Sequence, residues 1–229
     1  MTERIIDIAA LFGKSLEWYF SDPRAQYRNS RLELYDQAAE ILTRRSKFAE
    51  FLVSNLSKNP GNVLEIAAGS GLVSSVLHER LKNVTFLDLS LPALRVLKIR
   101  TQFPNVSTKV VNADFLHQPF PDKHFSDIVC VGGYRYVAPE RKELFWNETV
   151  RILQDSGNLF FAQFRPRGFP INGTTLSDNL GDYGLQIKRK IGFNPKINLG
   201  QFVLETGSYE VVQYEKCSAE PSKNRARKK

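Results

Sequence analysis

The sequence predicts an α/β fold built on a doubly wound, mostly parallel sheet. Along residues 60–164, apolar runs of strand length alternate with helical patterns, as expected for such a sheet. The connections are short, and three βαβ-like steps of this kind favour parallel strands with right-handed crossovers. In the last third, strand-like runs follow one another too closely for crossover helices, so at least one pair is predicted to be antiparallel.

The element order follows from these patterns. Five strands are predicted, at residues 63–66, 84–87, 108–112, 126–131 and 159–164. Helices are predicted after Gly71, from Pro92, and from about residue 139 to 153. A short helix at residues 174–184 precedes three strand-like runs, at 185–191, 201–206 and 209–214.

A chain of 229 residues is long enough for one α/β domain with N-terminal additions. Residues 1–58 have helical patterns, and we interpret them as a helical cap over the strand ends. Residues 59–215 are predicted to form the α/β domain. Residues 216–229 are interpreted as a basic, disordered tail.

The net charge of +8 is concentrated at the C-terminus. Five of the last seven residues are Lys or Arg, which leaves residues 1–222 with a net charge of only +3. Such an end is usually a solvated tail, so nucleic acid is not favoured as a partner, although the tail keeps this class open.

The chain is expected to be a soluble, cytoplasmic protein without membrane insertion. No apolar run approaches the roughly 20 residues that span a bilayer, and the first residues, which include Glu3 and Asp7, lack a small-residue cleavage site. Cys130 and Cys217 lie in strand-like runs without a CxxC partner, so neither disulfides nor a metal site are predicted.

The segment NVLEIAAGSG, residues 62–71, is the most informative part of the chain. An apolar strand contains Glu65 and runs into a turn built on Gly69 and Gly71. Such turns usually bind a phosphate. Because Glu65 would repel a pyrophosphate but attract the ammonium and sulfonium groups of S-adenosylmethionine (SAM), the acid favours a zwitterionic nucleoside without phosphate.

Two more acids follow at comparable positions. Asp88 closes the second predicted strand, 23 residues after Glu65, and Asp114 follows the third strand, 26 residues after Asp88. A parallel sheet brings the carboxyl ends of these strands to one rim, at its switch point. Three acids placed in this way indicate a binding site more strongly than a glycine turn alone.

These motifs resemble the class I SAM-dependent methyltransferases, which have a Rossmann-like seven-stranded sheet with an antiparallel C-terminal strand. The resemblance covers about residues 60–215 and is strongest to the small-molecule branch of the ubiquinone and menaquinone biosynthesis type. EIAAGSG is similar to the family's acid-x-G-x-G-x-G loop, with Ala67 at its first glycine. HQPFPDKHFSDIV and ETVRILQDSG are similar to two further family signatures.

The resemblance implies roles for individual residues. Asp88 would bind the ribose hydroxyls, and Asp114 the adenine amino group, with Ala113 and Phe115 beside the ring. The full set of cofactor contacts implied in this way is Glu65, Ala67, Gly69, Gly71, Asp88, Leu89, Ala113, Asp114, Phe115 and Gly132.

Two alternatives to this site are open. In the first, Asp88 and Asp114 act only as helix caps; in the second, the turn binds a nicotinamide dinucleotide. The dinucleotide motif G-x-G-x-x-G requires a glycine where Ser74 stands, and it gives no reason for Glu65.

The acceptor is expected beyond the fourth strand, under the cap. Tyr134 is a candidate to orient or deprotonate it, or else a ring packed against the cofactor; Arg135 and Tyr136 are its neighbours. Aromatic residues of the cap are candidates for the acceptor wall: Trp18, Tyr19 and Tyr35. VGGYRY is not the Asn/Asp-Pro-Pro-Tyr/Phe motif of enzymes that methylate base or glutamine amino groups. His117 and His124 are interpreted as exposed loop residues, and Arg44, Arg45 and Lys47 as a solvated helix face.

The functional hypothesis is direct in-line methyl transfer from SAM to oxygen, nitrogen or carbon of a small organic molecule, which releases S-adenosylhomocysteine. One rival is an RNA or protein methyltransferase recruited by the basic tail. The other is a protein of this fold that binds SAM without methylating, as a regulator or a cyclase.

Overall fold

The computed structural model describes residues 45–56, 60–101, 107–166, 180–194, 196–199, 202–205 and 207–217. The predicted cap helices before residue 45 and the tail after residue 217 lie outside these residues. So do most of the short helix predicted at 174–184 and the acceptor candidates Trp18, Tyr19 and Tyr35.

Helices and strands alternate as the sequence predicts. The strands are β1 (Val63–Ile66), β2 (Asn83–Asp88), β3 (Ser107–Asn112), β4 (Phe125–Val131), β5 (Leu153–Pro166), β6 (Leu185–Phe193), β7 (Lys196–Leu199), β8 (Phe202–Glu205) and β9 (Gly207–Lys216). The α-helices are α1 (Arg45–Asn55), α2 (Ser74–Arg80), α3 (Leu91–Arg100) and α4 (Lys142–Ile152). Single 3-10 turns lie at Gly133–Tyr136, Pro139–Arg141 and Gly181–Tyr183.

Seven strands form one mixed sheet in the order β3-β2-β1-β4-β5-β9-β6. The first five strands pair in parallel, whereas β9 runs antiparallel to both of its neighbours, β5 and β6. The predicted fold class, a doubly wound and mostly parallel sheet with an antiparallel C-terminal strand, is therefore confirmed.

Three predicted elements differ in detail. The run at residues 201–206 does not enter the main sheet, because β8 pairs with β7 in a separate two-stranded sheet. The predicted helix at 139–153 divides into a 3-10 turn, which begins with Pro139, and α4. The strand predicted at 159–164 is longer, because β5 begins directly after α4 and bends where its register to β4 shifts.

The two faces of the sheet bury separate apolar layers. Alternation along β1 directs Leu64 and Ile66 to the layer that contains Phe145 and Trp146 of α4. Val63 lies in the opposite layer with residues of α1, α2 and α3. Glu65 is two residues after Val63 and points to the same face of β1, so its carboxyl group lies on the side that α1 and α2 cover.

Helix α1 is held on this second face by aromatic packing. The ring of Phe48 is fully buried and stacks on Tyr209 of β9, with centroids 3.8 Å apart and planes within 7°. At the other end of the helix, Nη2 of Arg189 donates a hydrogen bond to the carbonyl of Asn55 at 2.6 Å. The part of the predicted cap that the structure describes is thus integral to the core.

None of the helices within the described ranges is long and apolar enough to cross a membrane.

Replacing Phe48 with alanine tests the packing of α1. Because the ring is fully buried, we expect the free energy of unfolding to fall by about 3–5 kcal/mol in urea titrations. Ile99→Ala on α3 is a matched control, since 70% of Ile99 is exposed, and it should change stability by less than about 0.5 kcal/mol. A loss of similar size in both variants would contradict the described position of α1.

Candidate active site

The carboxyl ends of the parallel strands meet at one rim of the sheet. Ile66 of β1 lies beside Leu87 of β2 and Cys130 of β4, and Asp88 lies beside Asn112 of β3. The backbone N–H of Ala113 donates to the carbonyl of Asp88 at 3.2 Å. The three acids of the sequence motif therefore occupy the same rim, as the spacing predicts.

The glycine turn adopts the conformation that its composition permits. Gly69 and Gly71 have φ values of 60° and 90°, a region that residues with side chains rarely occupy. A Cβ atom on Gly71 would lie 3.3 Å from the Cα of Leu97, so this glycine also allows α3 to approach the turn closely. Ala67 has a φ of 57°, although alanine is disfavoured there by about 1–2 kcal/mol.

Asp88 links the glycine turn to the start of α3 through the two oxygens of its carboxylate. The N–H of Gly69 donates to Oδ2 at 2.8 Å, and the N–H of Ser90 donates to Oδ1 at 2.7 Å. The helix cap itself is Ser90, whose hydroxyl accepts from the N–H of Ala93. Burial raises the pKa of Asp88 above its ordinary value, and the two N–H groups oppose this rise.

Glu65 is the buried acid of the rim. Only 2% of the residue is exposed, and the hydroxyl of Ser74 on α2 donates to its Oε2 at 2.6 Å. Burial raises the pKa of Glu65 to about 8, although the Ser74 hydrogen bond and the charge of Arg45 both lower it. Near neutral pH the carboxyl group is therefore largely protonated, and a cation placed beside it would favour its ionisation.

Asp114 lies in a more open part of the rim. Its Oδ1 accepts the N–H of Leu116 at 2.9 Å, and its Oδ2 lies 4.0 Å from Nδ1 of His117. Ala113 and Phe115, on either side of it, are half-buried. Leu89 lies beyond Asp88 with 66% of its surface exposed, so an apolar side chain is available next to the acids.

Tyr134 occupies the core beyond β4. Its ring packs against Phe145, Trp146 and Phe161 at centroid distances of 5.0–5.2 Å, and only 5% of the residue is exposed. Its hydroxyl accepts the indole N–H of Trp146 at 3.2 Å. This environment favours a structural role for Tyr134 over the expected role of orienting or deprotonating an acceptor, since a residue of the second kind must reach the substrate.

The other residues after β4 are more accessible. Gly132 has a φ of 74°, and its N–H donates to the carbonyl of Ala162. Arg135 and Tyr136 are half-buried, with the guanidinium 5.6 Å from the centre of the tyrosine ring. Both remain candidates for the acceptor side of the site.

A clamp of charged groups fixes the loop that follows Asp114. The guanidinium of Arg151 on α4 donates to the carbonyls of Gln118 and Phe120 and to the carboxylates of Asp122 and Glu148. These contacts give Glu148 and Arg151 of the ETVRILQDSG segment a structural role in this chain. The arginine hydrogen bond to Glu148 lowers the pKa of that acid.

The sequence did not predict two features of the site. Arg45 is half-buried, and its charge reaches Glu65, whereas its basic neighbours suggested a solvated helix face. Gly133 is the second: a Cβ atom there would lie 2.5 Å from that of Ala67, so glycine at 133 makes room for the alanine in the turn. Neither contact has a signal in the sequence, because both join segments that are far apart along the chain.

Cys130 is fully buried and burial raises the pKa of its thiol to about 12. This burial excludes a thiolate nucleophile at Cys130 near neutral pH. Within the described part of the chain, no three His, Cys, Asp or Glu residues are grouped to hold a metal ion.

Unfolding at different pH values tests the burial of Glu65. Because its folded pKa of about 8 exceeds the ordinary value of 4.5, the stability linked to this group is complete below pH 4.5 and is lost as the pH rises through 8. In urea titrations, the free energy of unfolding of Glu65→Gln minus that of the wild type should therefore increase by on the order of 2–4 kcal/mol between pH 5.5 and 8.5. Glu50→Gln is the control for replacing a glutamate with glutamine. If the difference in unfolding free energy between Glu65→Gln and the wild type did not change with pH, the raised pKa of a buried Glu65 would be contradicted.

A double-mutant cycle tests the contact between Ala67 and Gly133. Gly133→Ala should destabilise the fold by about 1–3 kcal/mol because of the overlap, and Ala67→Gly should restore about 1 kcal/mol or more. Gly192→Ala on β6 is the matched control, since a Cβ there meets nothing within 4 Å. Additive effects of the two changes would show that the side chains do not meet.

The comparisons with known proteins agree with this geometry. A family model described as a methyltransferase domain matches residues 63–157, from β1 into β5. The demethylmenaquinone methyltransferase of Thermus thermophilus is 28% identical over 145 residues, which are 56% of this chain and 65% of that protein. The corresponding enzyme of Deinococcus radiodurans is 26% identical over 169 residues, 66% of this chain and 69% of that protein. The matches thus span about two thirds of the length of these relatives.

A solved structure extends the likeness to the fold. A SAM-dependent methyltransferase from Clostridium acetobutylicum superposes with a TM-score of 0.60 at 13% identity, over 80% of this chain and 98% of that one. The domain match, the named relatives and the sheet order lead to one conclusion: residues 63–157 form a methyltransferase domain, and the chain resembles the class I SAM-dependent methyltransferases in sequence and in fold.

Proposed function

We propose that this methyltransferase binds SAM at the rim formed by β1, β2, β3 and β4 and transfers its methyl group to a small organic molecule. The observation that carries the proposal is the buried carboxyl group of Glu65 beside the glycine turn. A carboxyl group with a pKa of about 8 is unfavourably placed until a cation arrives, and SAM brings an ammonium and a sulfonium.

The residues of the rim fit the parts of this cofactor. Glu65 would face the ammonium group, and Ala67, Gly69 and Gly71 would let the backbone come close to the methionine end. Asp88 would accept from the ribose hydroxyls, because each of its oxygens retains a second lone pair after accepting one backbone N–H. The adenine would lie near the exposed side chain of Leu89 and the half-buried Ala113 and Phe115, with Asp114 beside its amino group.

A nicotinamide dinucleotide fits the same rim less well. The position that needs a glycine in its motif is Ser74, and the hydroxyl of this serine is bonded to Glu65. A pyrophosphate near Glu65 and Asp88 would add negative charge where two carboxyl groups already lie within electrostatic reach of each other.

The chemistry divides between cofactor and protein. SAM supplies a methyl group that its sulfonium makes strongly electrophilic. The rim residues would hold the cofactor in place and exclude water. In well-oriented reactions such alignment lowers the activation barrier by up to about 7–11 kcal/mol. A dedicated base is not required for this, which is consistent with the structural environment of Tyr134.

A small acceptor is favoured over nucleic acid by the residues near β4. The buried thiol of Cys130 does not supply the nucleophile of RNA cytosine C5 chemistry, and VGGYRY lacks the motif of amino-group methylation. The relatives named for demethylmenaquinone make a quinol ring with an apolar tail the first acceptor class to examine. Arg135 and Tyr136 are the described residues that we assign to the acceptor side, and Gly132 stays with the cofactor contacts.

Replacing Asp88 with asparagine tests the cofactor site. We expect the SAM dissociation constant, measured by calorimetry, to rise about tenfold to a hundredfold because a charge-assisted contact to the ribose is lost. Asp182→Asn, an exposed acid in the 3-10 turn before β6, is the matched control and should bind as the wild type does. Equal affinities for the Asp88 variant and the control would refute the assignment, provided that both variants unfold at similar temperatures.

The acceptor is identified by following a labelled methyl group. Incubation of the full chain with methyl-labelled SAM and a set of quinols, fatty acids and RNA should place label in a small molecule and release S-adenosylhomocysteine. Label in RNA with strong suppression by salt would support the rival recruited by the basic tail. Tight SAM binding without release of S-adenosylhomocysteine would support the rival that does not methylate.

A further inference from the structure

The guanidinium of Arg45 lies at the same end of β1 and β4 as the buried Glu65. A Cβ atom placed on Gly132 would be 4.0 Å from Nη2 of Arg45, and the charge of Arg45 acts on the carboxyl group of Glu65. Arg45 is half-buried at the start of α1 as described. Arg45 thus lies near Gly132, the residue after β4, and within electrostatic reach of Glu65.

The position of Arg45 is set by the folded core. Three residues further along α1, Phe48 is fully buried against Tyr209, and Asn55 accepts a hydrogen bond from Arg189 on β6. Lys47, on the same helix, points to solvent, with 64% of its side chain exposed and Glu50 as its partner. Helix α1 therefore places Arg45 at the rim and Lys47 away from it.

The methionine end of SAM is itself a pair of opposite charges. Its α-ammonium needs an acid, and its α-carboxylate needs a cation, preferably a planar guanidinium that offers two parallel donors. Arg45 supplies the cation, and Glu65 supplies the acid, whose ionisation the bound ammonium would favour. An arginine whose only role was to neutralise Glu65 would instead compete with the ammonium for the same acid.

We propose that Arg45 binds the α-carboxylate of the cofactor, opposite the ammonium that faces Glu65. This inference rests on the proposed function and adds to it a residue outside the glycine turn. It makes α1 part of the cofactor site and not only part of the cap.

Two ligands separate this role from a structural one. S-adenosylhomocysteine carries the amino-acid end, whereas 5′-methylthioadenosine has the same nucleoside without it. In Arg45→Met, calorimetry should show S-adenosylhomocysteine binding about tenfold to a hundredfold more weakly, with methylthioadenosine within about twofold of wild type. Lys47→Met, the matched control, should leave both affinities unchanged.

Every other outcome overturns the inference. Equal weakening of both ligands would mean that Arg45 only supports the fold, and tighter binding of S-adenosylhomocysteine would mean that Arg45 competes with the ammonium. Unchanged binding in Arg45→Met would refute the role of Arg45 while the proposed function stands. Failure of the wild type to bind S-adenosylhomocysteine would refute both. Should Arg45→Met unfold, Arg45→Lys keeps the charge without the paired donors and should lose affinity for S-adenosylhomocysteine alone.

Discussion

The burial of one carboxyl group constrains this rim more than any other interaction. Glu65 lies on the face of β1 that α1 and α2 cover, among apolar side chains, where an ionised acid is strongly disfavoured. Ser74 and Arg45 offset part of that cost, and protonation offsets more. A cation bound at the glycine turn would therefore offset the free-energy cost of burying the carboxyl group of Glu65, which is already present in the free protein.

The surrounding structure keeps this carboxyl group in place. Asp88 accepts one hydrogen bond from Gly69 of the turn and one from Ser90 before α3. Gly71 lets α3 approach the turn, and Gly133 leaves space for the methyl group of Ala67. The aromatic stack between Phe48 and Tyr209 fixes α1 over the same region. Because α1 carries Arg45, whose charge reaches Glu65, the proposed site depends on α1 as well as on the glycine turn.

Most of the sheet was predictable from the sequence, and the contacts between distant segments were not. Apolar runs and acids at strand ends indicated the parallel strands and the shared rim, since both depend on local periodicity. The separate pairing of β7 with β8 depends on non-local register, which periodicity does not encode. Tyr134 illustrates the same point, because its position after β4 suggested catalysis, whereas its packing against Trp146 and Phe161 favours a structural role.

Proton release on binding is the most direct measurement of the central claim. Calorimetric titration with S-adenosylhomocysteine at pH 7, in two buffers of different ionisation enthalpy, reports how many protons leave the complex. If the ligand's ammonium ionises a carboxyl group whose free pKa is about 8, close to one proton should be released per site. Binding with no proton release would contradict the claim that the ammonium ionises an uncharged Glu65, and the absence of binding would contradict the cofactor assignment itself.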